Sequence, residues 1–344
     1  MTKPDIVVIG ASAGGLEAFE TLVSQLPNDF SAPIFIVWHI SPNYPSVLPQ
    51  ILARVTKLPI AHAVNGEPIR KGRVYIAPPD HHLLVEPGIV RLSRGPRENR
   101  FRPAIDVLFR SAARFYGNRV IGIVLSGSLD DGAAGLYSIK ERGGIAIVQD
   151  PTEARHSSMP KAAMKAVEVD YCVPVIGMGG LLMQLVNKQI SEPNQNPVSE
   201  KMDIEVSVAR EENGLDLGIM QLGEFSPYTC PECHGVLMHL KEGNLIRFRC
   251  YTGHAYSLNT LLAEVTESIE DTLWDGIRSI EASVMVMTQT ANCLREKNEH
   301  EAADLLLQKA EDAKRRADLV RQAVMSNEVL SEDLLNIPTL PKLL

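Results

Sequence analysis

Ser12 sits in Gly10-Ala11-Ser12-Ala13-Gly14-Gly15, and two chemistries compete for this stretch. A glycine turn between strand and helix presents either a serine hydroxyl at the end of a parallel strand, as in G-x-S-x-G, or backbone amides that hold a pyrophosphate. The nucleophile string is matched residue for residue, whereas Ser12 replaces the central glycine of the dinucleotide pattern. A third reading is a small residue kept for close helix–strand packing. His39 ends a second apolar run and decides the competition. A dinucleotide site wants an acidic residue there for the ribose hydroxyls, while an imidazole is the base that a serine nucleophile needs. Asp130 and Asp131, in Ser126-Gly-Ser-Leu-Asp-Asp-Gly132, and Asp150 follow two further apolar runs. A carboxylate at one of these places would orient the imidazole and stabilise its charged form. Ser12, His39 and one aspartate are therefore the candidate triad for acyl transfer. The order Ser, His, Asp differs from the Ser, acid, His order of α/β-hydrolases, so that fold is excluded.

A second constellation lies far along the chain. Cys230-Pro-Glu-Cys233 is followed after sixteen residues by Cys250-Tyr-Thr-Gly-His254. Two such knuckles on facing turns supply four tetrahedral ligands, and sulfur and nitrogen donors favour zinc. With all four positions filled the site is structural, and the metal supplies much of the folding energy of so small a unit. A redox pair would want a thioredoxin-like βαβ context, and incidental buried thiols leave the spacing unexplained. His234 and His239 are alternative nitrogen ligands. Cys172 and Cys293 stand alone and read as buried small hydrophobes.

The elements that must position these residues follow from hydrophobic periodicity. Ile6–Ile9, Pro33–His39, Arg73–Ala77, Leu83–Glu86, Arg119–Leu125 and Ile145–Val148 read as strands. Helical spacing follows Ser12 (Leu16, Phe19, Leu22, Val23, Leu26) and recurs over Pro45–Thr56, Ala104–Tyr116 and Gly132–Arg142. This alternation predicts an α/β fold over residues 1–187: a doubly wound, mostly parallel sheet with helices on both faces. Ligands bind such sheets outside the carboxyl ends of the strands, where Ser12, His39 and the aspartates fall. A polar, proline-broken stretch, Ser191–Pro197, marks a linker over 188–226. The zinc-ribbon-like unit spans 227–257, with Val236–Met238 and Arg247–Arg249 alternating like strands. Residues 258–327 read as a helical hairpin. Leu273, Ile277, Ile280, Val284, Met287, Ala291 and Leu294 keep a four–three spacing, and Leu305, Leu306, Ala310, Ala313, Ala317 and Val320 fold back on them. This seam serves either the hairpin itself or a homodimer. The tail, 328–344, carries no signal.

Composition excludes other classes. A net charge of −8 with interspersed basic residues argues against nucleic acid or anionic lipid as partner. The 45% apolar content supports an ordinary core, and five unevenly placed cysteines do not make a disulfide scaffold. The longest nearly uncharged stretch, Val173–Val186, is too short and glycine-rich to span a bilayer, and no secretory signal precedes the first strand. A cytoplasmic protein without membrane insertion is expected.

Ile9–Gly15, Trp38-His39, Arg102-Pro-Ala-Ile-Asp-Val-Leu-Phe109, Leu125–Ala133 and Val148–Pro151 resemble, in order, the catalytic domain of the chemotaxis protein-glutamate methylesterases (CheB-type). The resemblance runs over about Ile6 to Val186. It implies hydrolysis of γ-glutamyl methyl esters on chemoreceptor-like proteins, often with deamidation of glutamines, and no cofactor for catalysis. It assigns Ser12 as nucleophile, His39 as general base and Asp131 as the acid, because the family's acid directly precedes Gly-Ala. The Ala13 amide is the candidate oxyanion donor. Two departures stand out: Ala13 replaces a hydroxyl residue, and Ser128-Leu129 a Met-Gly pair. Family members usually carry an N-terminal receiver domain. This chain begins at the catalytic strand, so a stand-alone form regulated through its C-terminal half or a separate partner is expected. Similar C-terminal extensions occur on some such members. The alternative is a non-catalytic docking or regulatory module in a signalling complex.

Overall fold

The computed structural model describes residues 3–40, 44–190 and 197–326. β1 (Ile6–Ala11), β2 (Ile34–Trp38), β3 (Ile60–His62) and β4 (Val74–Ile76) form one half of a parallel sheet, with α1 (Gly15–Ser24) and α2 (Leu48–Leu52) in the crossovers. The hairpin β5 (His82–Glu86)–β6 (Ile89–Ser93) and helix α3 (Ile105–Tyr116) lead to the other half. That half is β7 (Val120–Val124), β8 (Ile145–Gln149) and β9 (Tyr171–Val173), with α4 (Ala133–Glu141), α5 (Ser158–Ala166) and α6 (Val175–Leu185). The seven strands run in the order β3-β4-β2-β1-β7-β8-β9, and every pair is parallel. The doubly wound expectation holds. The order reverses at β1, so β1 with its neighbours β2 and β7 defines the switch point where such sheets bind ligands.

Burial explains why the strand sequences are continuously apolar. Ile6–Ala11 is buried on both faces, as parallel sheets require. One core packs Phe19, Leu22, Met178 and Leu182 of α1 and α6 on the sheet. The other packs Leu108, Ala112, Leu136 and Met159 of α3, α4 and α5 on its opposite side. α3 is covered on all sides, so its polar residues Asp106, Arg110 and Ser111 are buried as well.

The chain divides into two units, Met1–Leu261 and Leu262–Leu344. Where the sequence suggests a linker over 188–226, the structure has α7 (Glu200–Ala209), capped by Ser199 and burying Met202, Ile204 and Val206. Short-range polarity hid this helix, because its buried face includes Glu205. Next comes an antiparallel sheet of β10 (Glu224–Thr229), β11 (Val236–Glu242), β12 (Leu245–Cys250) and β13 (Ala255–Ser257). A buried ion cluster binds this sheet into the first unit. Arg110 of α3, Arg247 and Arg249 of β12, Glu98 and Glu205 are each at most 3% exposed, with contacts of 2.6–3.6 Å. Burial alone would push Glu205 up, but Arg110, Arg247 and Arg249 hold it well below the ordinary carboxylate range.

α8 (Leu258–Glu296) and α9 (His300–Met325) form the expected hairpin. Every member of the predicted α8 seam is withdrawn from solvent, with Ile277 and Ala291 buried. On α9 the buried line is Ala303, Ala310, Ala317 and Val324, at a strict seven-residue interval. Leu305, expected in the seam, is exposed, because that interval turns it outward. Cys172 and Cys293 are also exposed, contrary to expectation. The first lies on edge strand β9 and the second on the outer face of α8. The tail at 328–344 and nearly all of Ser191–Pro197 lie outside the described residues.

Candidate active site

The chain leaves β1 at Ala11, turns through Ser12–Gly14 and begins α1 at Gly15. Glycine is needed on both sides of Ser12. A Cβ on Gly10 would lie 2.3 Å from Ile105 Cγ2, and Gly14 has φ 70° with a Cβ position 2.7 Å from Ser126 Oγ. The Ser12 N–H donates to Ser126 O at 2.9 Å, and Ser12 O accepts from Gly15 N and from Trp38 Nε1. Among the described residues no acceptor takes the Ala13 or Gly14 N–H, at the positive end of α1.

His39 follows β2, its N–H donating to Ala11 O at 3.2 Å. Its Nε2 lies 2.7 Å from Asp131 Oδ2, and the two side chains are 2% and 1% exposed. A carboxylate accepts, so Nε2 carries the proton and Nδ1 holds the lone pair. Nδ1 is buried and has no hydrogen-bond partner. The imidazole lies flat on Phe101, with ring centroids 3.6 Å apart and planes 7° apart. Ser12, His39, Ile40, Arg97, Arg100, Phe101 and Arg102 line a cavity of about 310 Å³. Arg102 is occupied, donating to Asp80 Oδ1 at 2.6 and 2.9 Å.

The structure separates the three aspartates. Asp131 meets His39, Asp130 accepts from Ser257 Oγ and Asn259 Nδ2, and Asp150 accepts from Thr152 at the surface. Besides His39, Asp131 accepts from Asn99 Nδ2 and Asp106 N on Oδ1 and from Ile105 N on Oδ2. Burial would raise its pKa, but the His39 hydrogen bond and charge and the Asn99 amide outweigh that and hold it low. Asp106, absent from the predicted site, is pushed up to about 8 by burial and by Asp131. Its Oδ1 accepts from Gly132 N and Gly135 N and its Oδ2 from Asn99 Nδ2. Asn99 and Phe101 were also missed. Their signal was only their place just ahead of Arg102-Pro-Ala-Ile-Asp. Leu129, at a departure from the family pattern, takes a left-handed φ of 61°, a conformation that costs a side-chain-bearing residue about 1–2 kcal/mol.

Residues 7–182 match the CheB methylesterase family. The chain belongs to the CheB methylesterase family. A Leptospira interrogans (serovar copenhageni) protein, provisionally named protein-glutamate methylesterase/protein-glutamine glutaminase, is 40% identical over 189 residues, which cover 55% of this chain and 98% of that protein. An Anaeromyxobacter dehalogenans protein-glutamate methylesterase/protein-glutamine glutaminase is 43% identical over 173 residues, 50% of this chain but only 51% of that protein. The crystal structure of the Thermotoga maritima CheB methylesterase catalytic domain superposes with a TM-score of 0.52 at 33% identity, covering 54% of this chain and all of that one.

The Cys/His cluster lies beyond the CheB-matched residues. Cys230, Cys233, Cys250 and His254 present ligand atoms that all lie within 4.8 Å of one another. Tetrahedral zinc, with Zn–S about 2.3 Å and Zn–N about 2.0–2.1 Å, sets S···S edges of about 3.8 Å and S···N edges of about 3.6 Å. Cys233 Sγ–Cys250 Sγ is 3.6 Å, and His254 Nδ1 lies 3.7 and 3.6 Å from the Cys230 and Cys250 sulfurs. The donor set fits. A hydrogen bond from Cys230 and the nearby His254 lower the Cys250 thiol to about 3 against the effect of burial. His254 Nε2 faces Glu232 Oε2 at 3.3 Å, the carboxylate partner that orients ligating imidazoles. His234 and His239 lie outside the cluster: His234 is exposed and His239 packs on Phe248.

Proposed function

We propose that this chain is a protein-glutamate methylesterase acting on chemoreceptor-like proteins. Its site residues are Ser12, His39 and Asp131. The observation that carries the reading is the buried His39 Nε2–Asp131 pair at 2.7 Å, with a buried, unpartnered Nδ1 on the histidine that lines the same cavity as Ser12. His39 Nδ1 takes the Ser12 proton as Oγ attacks the ester carbonyl, and the ionised Asp131 stabilises the imidazolium. The Ala13 N–H, at the start of α1, is the donor for the developing oxyanion. The imidazolium then gives its proton to the leaving methoxide, releasing methanol. Water, deprotonated by the same nitrogen, resolves the acyl-enzyme to glutamate. A glutamine would follow the same course and release ammonia. Arg97 and Arg100 at the cavity suit an acidic receptor segment.

In the same reading the enzyme works in the cytoplasm, and no helix among the described residues is long and apolar enough to cross a membrane. Catalysis uses no cofactor. Cys230, Cys233, Cys250 and His254 hold a structural zinc, and the α8–α9 hairpin offers a surface for a second copy or a signalling partner. The test is methanol release from membranes bearing a methylated receptor. The wild-type chain releases it and Ser12→Ala lowers the rate by about 10⁴-fold or more. Unchanged release by the variant overturns the assignment and favours a docking module.

A further inference from the structure

We propose that the metal cluster sets the geometry of the catalytic aspartate, with Asn99 as the positioning residue that carries the constraint; this rests on the methylesterase reading above. Residues Glu98–Phe101 form a two-residue turn, Glu98 and Phe101 exchanging both backbone hydrogen bonds at 3.3 and 2.9 Å. Its central residues Asn99 and Arg100 have φ 51° and 75°. Neither is glycine, so outside contacts must hold the turn in this left-handed conformation. The turn and its flanks also build the cavity, since Arg100 and Phe101 of the turn line it together with the flanking Arg97 and Arg102.

The outside contacts come from the residues that leave the cluster. Ala255, next to ligand His254, pairs with Glu98. Asn99 N donates to Ala255 O at 2.8 Å and Ala255 N donates to Arg97 O at 3.2 Å. The Asn99 side chain then spends its whole hydrogen-bonding capacity between two regions. Its Nδ2 donates to Asp131 Oδ1 at 2.9 Å and Asp106 Oδ2 at 2.8 Å. Its Oδ1 accepts from Ser257 N at 2.9 Å and Thr260 Oγ1 at 3.2 Å. An amide has two donors and two lone pairs, so none is left over. Ser257 Oγ and Asn259 Nδ2 also hold Asp130, the neighbour of Asp131, at 2.7 and 3.0 Å. A second, looser path runs from His254 through Glu232 to Arg97, the last contact being 4.0 Å.

The metal would close the Cys250–His254 knuckle from which this clamp extends. Without it the knuckle is held only by β13, its own backbone bonds and the Arg249 contacts to Glu98 and Gly253 O, and Asn99 loses part of the support that aims its donors at Asp131. The match to the CheB methylesterase family ends at residue 182, and the Thermotoga catalytic domain covers only 54% of this chain. The Ala255–Thr260 side of the clamp lies outside that match, and in this reading it makes catalysis conditional on metal.

The test uses the full chain. Zinc is measured in the purified protein, removed with a chelator and restored. Turnover of a methylated receptor and the rate of fluorophosphonate labelling at Ser12 are followed in parallel. The expected result is stoichiometric zinc, a fall in kcat of about 10- to 100-fold on removal, and recovery on re-addition. Asn99→Ala in the zinc-loaded enzyme should lower kcat by a similar factor with KM within about threefold. The acid limb of its kcat profile should move upward, because Asp131 has lost a donor that keeps it ionised. A merely structural role would lower the number of titratable active sites and leave the profile in place, and that result overturns the proposal. So does full kcat after zinc removal, which leaves the metal site standing. Purified protein without zinc refutes the metal site and the inference together. A zinc-loaded chain that neither labels nor turns over refutes the methylesterase reading instead.

Discussion

Replacing Asp131 with asparagine tests which nitrogen of His39 is the base. The substitution keeps the shape of the side chain but forces its orientation. Oδ1 accepts from Asn99 Nδ2 and Asp106 N, and Oδ2 accepts from Ile105 N and His39 Nε2. Asparagine must keep its oxygen at the first position, because neither amide donor there can become an acceptor, whereas at the second position His39 can change tautomer. Its NH₂ group then faces His39 Nε2, which can accept only if the imidazole proton moves to Nδ1. That is the nitrogen without a partner, on the imidazole that lines the same cavity as Ser12. The base is lost to the wrong tautomer, a fault that costs about 10⁴ in kcat, or ~5 kcal/mol of transition-state stabilisation. The Ile105 N–H loses its acceptor, which costs about 1–3 kcal/mol of stability. Relief of the repulsion between Asp106 and Asp131 offsets part of that. Steady-state methanol release and urea unfolding measure the two effects separately. A kcat within about tenfold of wild type would refute the tautomer assignment, since the alternative, Nε2 as base, would have to work without its 2.7 Å contact to Asp131.

Two other perturbations probe the scaffold. Glu205→Gln leaves Arg110, Arg247 and Arg249 short of a buried carboxylate, and urea unfolding should show a loss of about 3–5 kcal/mol. A loss below about 1 kcal/mol would mean the cluster is not what joins the Cys/His sheet to the α/β domain. The pH dependence follows from Asp106, whose folded value is pushed up to about 8. Raised above its unfolded value near 4, it contributes stability that is fully present below that value and lost as pH rises through about 8. Asp130, raised to about 6 by burial, acts in the same direction. The urea midpoint should therefore fall between about pH 4 and 8, and Asp106→Asn should flatten the upper part of that slope. A slope unchanged in the variant assigns it elsewhere.

The parts of this molecule that were legible in the sequence are those governed by local rules. Continuous apolar runs such as Ile6–Ile9 read as strands because both faces of a parallel sheet are covered. Ser12, His39 and the aspartates Asp130, Asp131 and Asp150 stood out because polar residues at strand ends are conspicuous after such runs, and only the family resemblance singled out Asp131 among the three. The heptad seam of α8 read correctly for the same reason. What stayed hidden depends on distant partners. Glu205 sits in a polar stretch, and only its three arginines, from α3 and β12, make it an interior residue. Asn99 has no local pattern at all. Its role comes from Asp131 on one side and Ser257 on the other, 32 and 158 residues away. Exposed Cys172 shows the converse. A small apolar residue in a strand looks buried until the strand proves to be an edge.

The most direct test of the account is the site of covalent trapping. The folded, metal-loaded chain is treated with a fluorophosphonate and mapped by peptide mass spectrometry. The account predicts one adduct per chain, on Ser12, with labelling slowed by orders of magnitude in His39→Ala. An unlabelled Ser12 in a folded protein that still releases methanol, or an adduct on another serine, would contradict it.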